Sequence, residues 1–195
     1  MIGFVAGFGR CGTSLTMAML QAGGLPVSGS ETVFENAGFS PFRTEVRWLN
    51  SQHGRIVKWV CPLSTWCPGE IEARTLWLER DPQEQARSQV KLALAFGEPI
   101  TNPSAAVKAC EDHIRTRTEA AVASAACHGP VTRLSFEQLL SDPAGSARGL
   151  ARFFRDFGRL DVARAAAIVK PRSPACASGL EVDLDDIRQE LLPHA

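Results

Sequence analysis

The stretch Gly7-Phe8-Gly9-Arg10-Cys11-Gly12-Thr13-Ser14, GFGRCGTS, decides how the rest of the chain reads. It follows the apolar run MIGFVA at 1–6 and precedes LTMAML at 15–20. A buried strand, a glycine-rich turn and a helix start form an anion site by geometry alone, because backbone N–H groups converge and the helix dipole favours negative charge. Gly9 and Gly12 permit positive φ and close backbone approach. Thr13 and Ser14 add hydroxyl donors. The stretch nearly spells the phosphate-binding pattern G-x-x-x-x-G-K-[ST]. Gly7, Gly12 and Ser14 stand at the right spacing, but Thr13 replaces the lysine and a different cation, Arg10, lies inside the loop.

Working outward, strands alternate with helices, which predicts an α/β layered domain with a largely parallel sheet. Residues 2–6 read as a buried parallel strand, and 13–21 as a helix stopped by Gly23-Gly24. Strands are expected at 55–60, 75–78 and 131–135. Asp81-Pro82 with Glu84 gives a capping box and a proline start for the next helix. Asn102-Pro103 opens a long helix to about 127, and Asp142-Pro143 opens another whose buried face is Ala147, Leu150, Phe154 and Phe157. Residues 26–54 carry weaker signals, with a helix at 45–49. Beyond Gly158 come a short Ala-rich helix, the loop KPRSPACASG and an acidic final helix. No boundary interrupts the pattern, so 1–195 is expected to be one domain.

Composition excludes several classes. The chain balances 21 Lys+Arg against 21 Asp+Glu. That argues against a nucleic-acid or anionic-membrane binder. No apolar run approaches the roughly 18 residues of a membrane span, and no basic flank or cleavage site marks a signal peptide. Cysteines at 11, 61, 67, 110, 127 and 176 form no C-x-x-C pair. They read as reduced thiols of a cytoplasmic protein rather than zinc ligands or disulfides.

A second motif follows the third expected strand. Arg80-Asp81-Pro82 ends TLWLE, and Ser88 lies eight residues after Arg80. An arginine fork and a hydroxyl near a helix start suit a phosphate monoester. With Arg10-Cys11-Gly12-Thr13-Ser14, this pair resembles the sulfotransferase family that uses 3′-phosphoadenosine 5′-phosphosulfate (PAPS). In that family the first loop holds the 5′-phosphosulfate, and an arginine and serine so spaced hold the 3′-phosphate. Cys11 departs from the family's usual serine. Two looser matches are VKWVCP, around Lys58 and Pro62, similar to a Lys-x-Pro strand end but with extra residues, and LSFEQLLSDP, with Phe136 in place of tyrosine. The resemblance covers about 2–157 and implies a three-layer P-loop NTPase-like fold, its mainly parallel central sheet flanked by helices.

It also implies the chemistry: in-line transfer of a sulfuryl group from PAPS to an acceptor hydroxyl or amine, leaving adenosine 3′,5′-bisphosphate, with no metal required. Positioning and preorganised donors dominate such a transfer. The implied cofactor residues are Gly9, Arg10, Cys11, Gly12, Thr13, Ser14, Arg80 and Ser88, with Lys170 and Arg172 as a late basic pair. Arg10 is the candidate for stabilising charge on the bridging oxygen. An acceptor hydroxyl needs a general base; Glu31 and Glu35 in SETVFENAGF are the candidates, ahead of the loop histidine His53. Trp59, Trp66 and Trp77 read as core or cleft wall. The implied partner is a carbohydrate, lipid or small-molecule acceptor met by a monomer or homodimer. Two other readings stay open: a P-loop kinase or nucleotide hydrolase with a degenerate loop, and a non-catalytic nucleotide-binding relative.

Overall fold

The computed structural model describes residues 1–29, 34, 39–40, 43–64, 67 and 70–170. In chain order the elements are β1 (Ile2–Gly7), α1 (Thr13–Ala22), β2 (Phe39–Ser40), β3 (Arg43–Thr44), α2 (Val46–Asn50), β4 (Ile56–Val60), β5 (Ala73–Glu79), α3 (Pro82–Ala95), α4 (Pro103–Ala126), β6 (Val131–Ser135), α5 (Phe136–Ser141), α6 (Pro143–Phe153), a 3₁₀ turn (Arg155–Phe157) and α7 (Val162–Ala167). They fall into two compact units, Met1–Arg80 with Thr118–Lys170, and Asp81–Arg117.

The first unit is built on a four-stranded sheet of order β4-β1-β5-β6. Every pairing in it is parallel. The protein is therefore α/β, with a parallel central sheet flanked by helices, as the alternation of patterns leads one to expect. β1 is buried along its whole length, which explains why its sequence is a continuous apolar run rather than an alternation. Parallel register puts Val5, Lys58 and Leu76 side by side on one face and Ala6, Trp59 and Trp77 on the other.

The first face is the main core. Val5, Ile56, Leu76 and Leu78 join Met17 and Leu20 of α1, Ala147 and Leu150 of α6, Phe154, and Ala165 of α7 in one apolar cluster. Each large aliphatic side chain buried this way contributes about 1.5–3 kcal/mol. Arg74 of β5 closes the bottom of this face. Its guanidinium donates to the Phe153 carbonyl (2.5 Å) and pairs with Asp156 (2.6 Å), fixing the turn after α6. On the other face Phe4 packs against Trp59, Phe8 meets Trp77 edge-on, and His128 meets Trp59 edge-on. Trp59 and Trp77 are core residues, each 1% exposed; Trp66 lies outside the described residues.

Caps set the helix starts. Asp81 accepts from the Glu84 N–H (2.9 Å) and Asp142 from the Gly145 N–H (2.8 Å), each followed by proline, as their sequences indicate. Two features differ from the sequence reading. The segment between β6 and Asp142, given no element from the sequence, is a helix, α5: Ser135 caps it by accepting from the Gln138 N–H (3.0 Å). Residues 26–54 hold a two-stranded antiparallel pair, β2 with β3, besides the expected short helix α2. The second unit holds α3 and the first turns of α4, joined through a turn with Gly97 at φ 81° and by a Cys110 thiol donating to Gln89 Oε1 (3.2 Å).

Candidate functional site

Parallel strands present their carboxyl ends together. Gly7 pairs with Val60, Ala6 with Trp77, and Glu79 with Ser135. The segments that follow, 8–12, 61–62, 80 and 136, therefore emerge at one edge of the sheet. In doubly wound α/β proteins this edge is where ligands bind.

The loop between β1 and α1 is shaped by two left-handed residues, Arg10 at φ 67° and Gly12 at φ 100°. Gly12 is the N-cap of α1, and its carbonyl accepts from both the N–H and the hydroxyl of Thr16 (3.0 and 3.1 Å). A β-carbon on Gly12 would stand 2.6 Å from the Phe136 ring, so glycine is required by both angle and space. α1 has no acidic side chain in its first turn, which leaves the positive end of the helix uncompensated from within.

Cys11 is fully buried and belongs to the apolar core. Its sulfur lies where a β-carbon on Gly7 would be, at 2.4 Å. Burial pushes its thiol up to about 12, against backbone hydrogen bonds that work the other way. The side chain at this position thus turns inward and anchors the loop. Thr13 is nearly buried as well, while Ser14 is half-buried.

Ser14 carries the most informative contact: Lys58 Nζ donates to its hydroxyl at 2.9 Å. Lys58 lies in β4, directly beside Val5, and is 8% exposed. The loop that lacks its own lysine is reached by one from the neighbouring strand. Sequence reasoning passed over Lys58, noting it only within a loose strand-end match. The available signal was a charged residue inside IVKWV, since a strand buried on both faces accepts a charge only with a partner. At the end of β4, Cys61 adopts φ 53° and its N–H bonds the Gly7 carbonyl (2.9 Å), locking that strand end to the loop.

Arg80 follows β5 and is 9% exposed. One guanidinium nitrogen donates to the Arg10 carbonyl (3.2 Å), and the group lies 4.7 Å from the centroid of Phe136. Phe136 opens α5 and also covers Gly12. The two sequence motifs thus meet: Arg80 holds the backbone of the first loop, with Phe136 packed against both. Ser88 lies on α3 in the second unit and is half-buried. Lys170 is exposed. Glu31, Glu35 and Arg172 lie outside the described residues. His53 is exposed, its Nδ1 2.7 Å from the Asn50 carbonyl at the end of α2. His128, beside Trp59 and the start of β5, is lowered by burial and belongs to the core. Among the described residues no group of three His, Cys, Asp or Glu side chains could hold a metal ion, and no helix is long and apolar enough to cross a membrane.

No protein-family model matches the sequence, and no curated protein matches it. Solved structures do. The crystal structure of retinol dehydratase in complex with androsterone and inactive cofactor PAP superposes with a TM-score of 0.50 at 17% identity, over 86% of this chain and 62% of that one. A complex of retinol dehydratase with retinol and PAP gives 0.49, 16%, 86% and 63%. The chain spans less than two thirds of the length of these proteins. At such identity the likeness concerns the fold: this chain has the α/β, P-loop-like fold of retinol dehydratase, the fold that the sequence resemblance leads one to expect.

Proposed function

We propose that the protein is a sulfotransferase that transfers the sulfuryl group of PAPS to an acceptor hydroxyl. One observation carries this reading most directly: Arg80, from the second motif, is bonded to the backbone of the first loop, while Lys58 reaches Ser14 from the other side. Three cationic side chains, Arg10, Lys58 and Arg80, thus belong to one edge of the sheet beside the start of α1. That set suits a ligand with two separated anionic groups better than a neutral one. The glycine at 12 and the inward-turned Cys11 leave backbone N–H groups as the donors of the loop.

PAPS supplies a sulfuryl group already activated by its anhydride link to phosphate. The chain's work is to hold and orient. Gly9 to Ser14 cradle the 5′ end through N–H and hydroxyl donors. Arg10 and Lys58 Nζ face the charge that develops on the bridging oxygen, and preorganised donors of this kind are worth about 10²–10³ in turnover each. Arg80 and Ser88 take the 3′-phosphate, and Lys170 and Arg172 close over the nucleotide. Glu31, or Glu35 after it, removes the acceptor proton. The acceptor is a small molecule or a glycan alcohol. The 1–195 chain acts as one functional domain in this scheme.

The Lys58–Ser14 contact also gives the loop the cation that a nucleoside-triphosphate enzyme would need, which favours a kinase as the second reading. Calorimetric titration separates the two. Adenosine 3′,5′-bisphosphate is expected to bind without metal and more tightly than ATP–magnesium; the reverse order overturns the sulfotransferase reading. With a PAPS-dependent assay in hand, Lys58→Ala and Arg10→Ala are expected to lower turnover by about 10²-fold or more while bisphosphate affinity changes far less.

A further inference from the structure

The turn between α4 and β6 carries a buried histidine that the candidate site does not use. His128 is 8% exposed and lies against Trp59, on the face of the sheet opposite the main core. Backbone contacts seat this turn on the start of β5. The Ala73 N–H donates to the His128 carbonyl (2.7 Å), and the Thr75 N–H to that of Pro130 (2.9 Å). Gly129, at φ 139°, comes so close that a β-carbon on it would overlap the Ala73 carbonyl oxygen. The His128 N–H in turn closes the end of α4 on the Ala125 carbonyl (3.2 Å).

The ring is satisfied on one side only. It meets Trp59 edge-on, with centroids 5.8 Å apart, and hydrogen-bonds the Ile71 carbonyl. Nδ1 is buried and, among the described residues, has no hydrogen-bond partner. Nε2 is therefore the nitrogen that donates to Ile71, and the neutral ring keeps its lone pair at Nδ1. A second proton would sit at Nδ1 as a buried, charged donor without an acceptor, which costs free energy. Among the described residues no neighbouring element supplies a counter-charge. Lys58 of β4 is on the opposite face with Ser14, and Arg74 of β5 is there with Asp156. Glu79 of β5 and Glu119 of α4 pair with Arg133, and Glu70 and Glu72, on either side of Ile71, are exposed. Burial accordingly lowers the ring from its ordinary 6.5, against the Ile71 hydrogen bond, which works the other way.

We propose that His128 is an acid-sensitive latch: the neutral ring ties the α4–β6 turn to Ile71 and the start of β5, and a proton taken from solvent at Nδ1 expels the ring and opens the turn. The sign follows from where protons bind. In the open turn the imidazole takes up a proton below about 6.5, whereas in the closed turn it stays neutral. Closure is thus complete at neutral pH and weakens as pH falls below 6.5.

The test uses the full chain without nucleotide. The ring signals of His128, followed by NMR from pH 8 to pH 4.5, are expected to titrate below their midpoint in the same chain unfolded in urea. Amide exchange, corrected for its intrinsic pH dependence, is expected to speed up about 10-fold at Ala73 and Thr75 between pH 7 and pH 5, while Val5 and Ala6 in β1 keep their protection. His128→Gln keeps a donor for the Ile71 carbonyl and cannot take up a proton, so Ala73 and Thr75 should exchange alike at both values. The ring titration needs only the wild-type chain and decides the matter even where the variant does not fold. A midpoint at or above the unfolded one, protection at Ala73 and Thr75 indifferent to pH, equal acceleration in His128→Gln, or loss shared evenly with β1 would each overturn the latch, the last by showing global rather than local opening. Because no step involves nucleotide, failure here leaves the sulfotransferase reading untouched, and the converse holds.

Discussion

At the scale of single residues, position 11 shows how a side chain inside a loop can belong to the core. A cysteine where the sulfotransferase pattern has serine suggests a lost phosphate contact. In the structure the side chain is buried in the core cluster that also holds Leu78, with its sulfur beside Gly7. Cys11→Ser is therefore expected to leave bisphosphate affinity within about 3-fold, yet to cost about 1–3 kcal/mol of stability, since a hydroxyl would enter an apolar cluster. Titration of the variant checks the first part and denaturant unfolding the second. The thiol also sets a pH dependence. Burial raises both Cys11 and Cys67 from 9.0 to about 12. Between those values the unfolded chain binds fewer protons than the folded one, so stability falls as pH rises above about 9. Unfolding midpoints at pH 8 and pH 10 measure this, and Cys11→Ala should flatten the decline. Lys58 is the opposite case: a residue that sequence reading passed over. Its role depends on a strand neighbour and a helix start forty-four positions away, and no local pattern announces such a pairing.

Among the elements, those governed by local rules were readable and those governed by packing were not. β1 declares itself by an unbroken apolar run, and α3 and α6 by Asp-Pro caps. α5 does not, because six residues carry too little periodicity to separate a short helix from a turn. Yet α5 matters to the site. Its Ser135 cap fixes the start of the helix, and that start delivers Phe136 to the space between Gly12 and Arg80. Phenylalanine here works through its ring face, which holds the guanidinium, and its edge, which shapes the loop. Phe136→Ala is expected to cost about 1–3 kcal/mol, because the side chain is half-buried, and to weaken bisphosphate binding by about 10-fold as Arg80 loses its platform. Phe136→Tyr keeps the ring and should preserve both. Calorimetry alongside thermal unfolding separates the two effects. If alanine lowers stability but spares affinity, the ring is packing alone and Arg80 is positioned without it.

On the scale of the whole molecule, the balanced charge of the chain hides a local concentration. Net charge is zero, but parallel topology gathers the carboxyl ends of β1, β4 and β5, and with them Arg10, Lys58 and Arg80, at one edge. The two motifs were legible as separate stretches, seventy positions apart. That they share a hydrogen bond was not, because sequence order says nothing about which strands are neighbours. The sharing has a measurable consequence. If Arg80 holds a 3′-phosphate and also the Arg10 carbonyl, the two ends of the nucleotide should be recognised cooperatively. Consider adenosine 3′,5′-bisphosphate and adenosine 5′-monophosphate, each titrated against the wild type and Arg80→Ala. In the wild type, removing the 3′-phosphate should cost about 10²-fold in affinity, in the range of about 1.5–3 kcal/mol for a charge-assisted contact. In Arg80→Ala the same removal should cost little. The 5′-monophosphate should nevertheless bind Arg80→Ala somewhat more weakly than it binds the wild type, because the loop backbone has lost its tether. A cycle that closes with no coupling would mean that Arg80 serves the loop alone and that the 3′-phosphate, if bound, is held by other side chains.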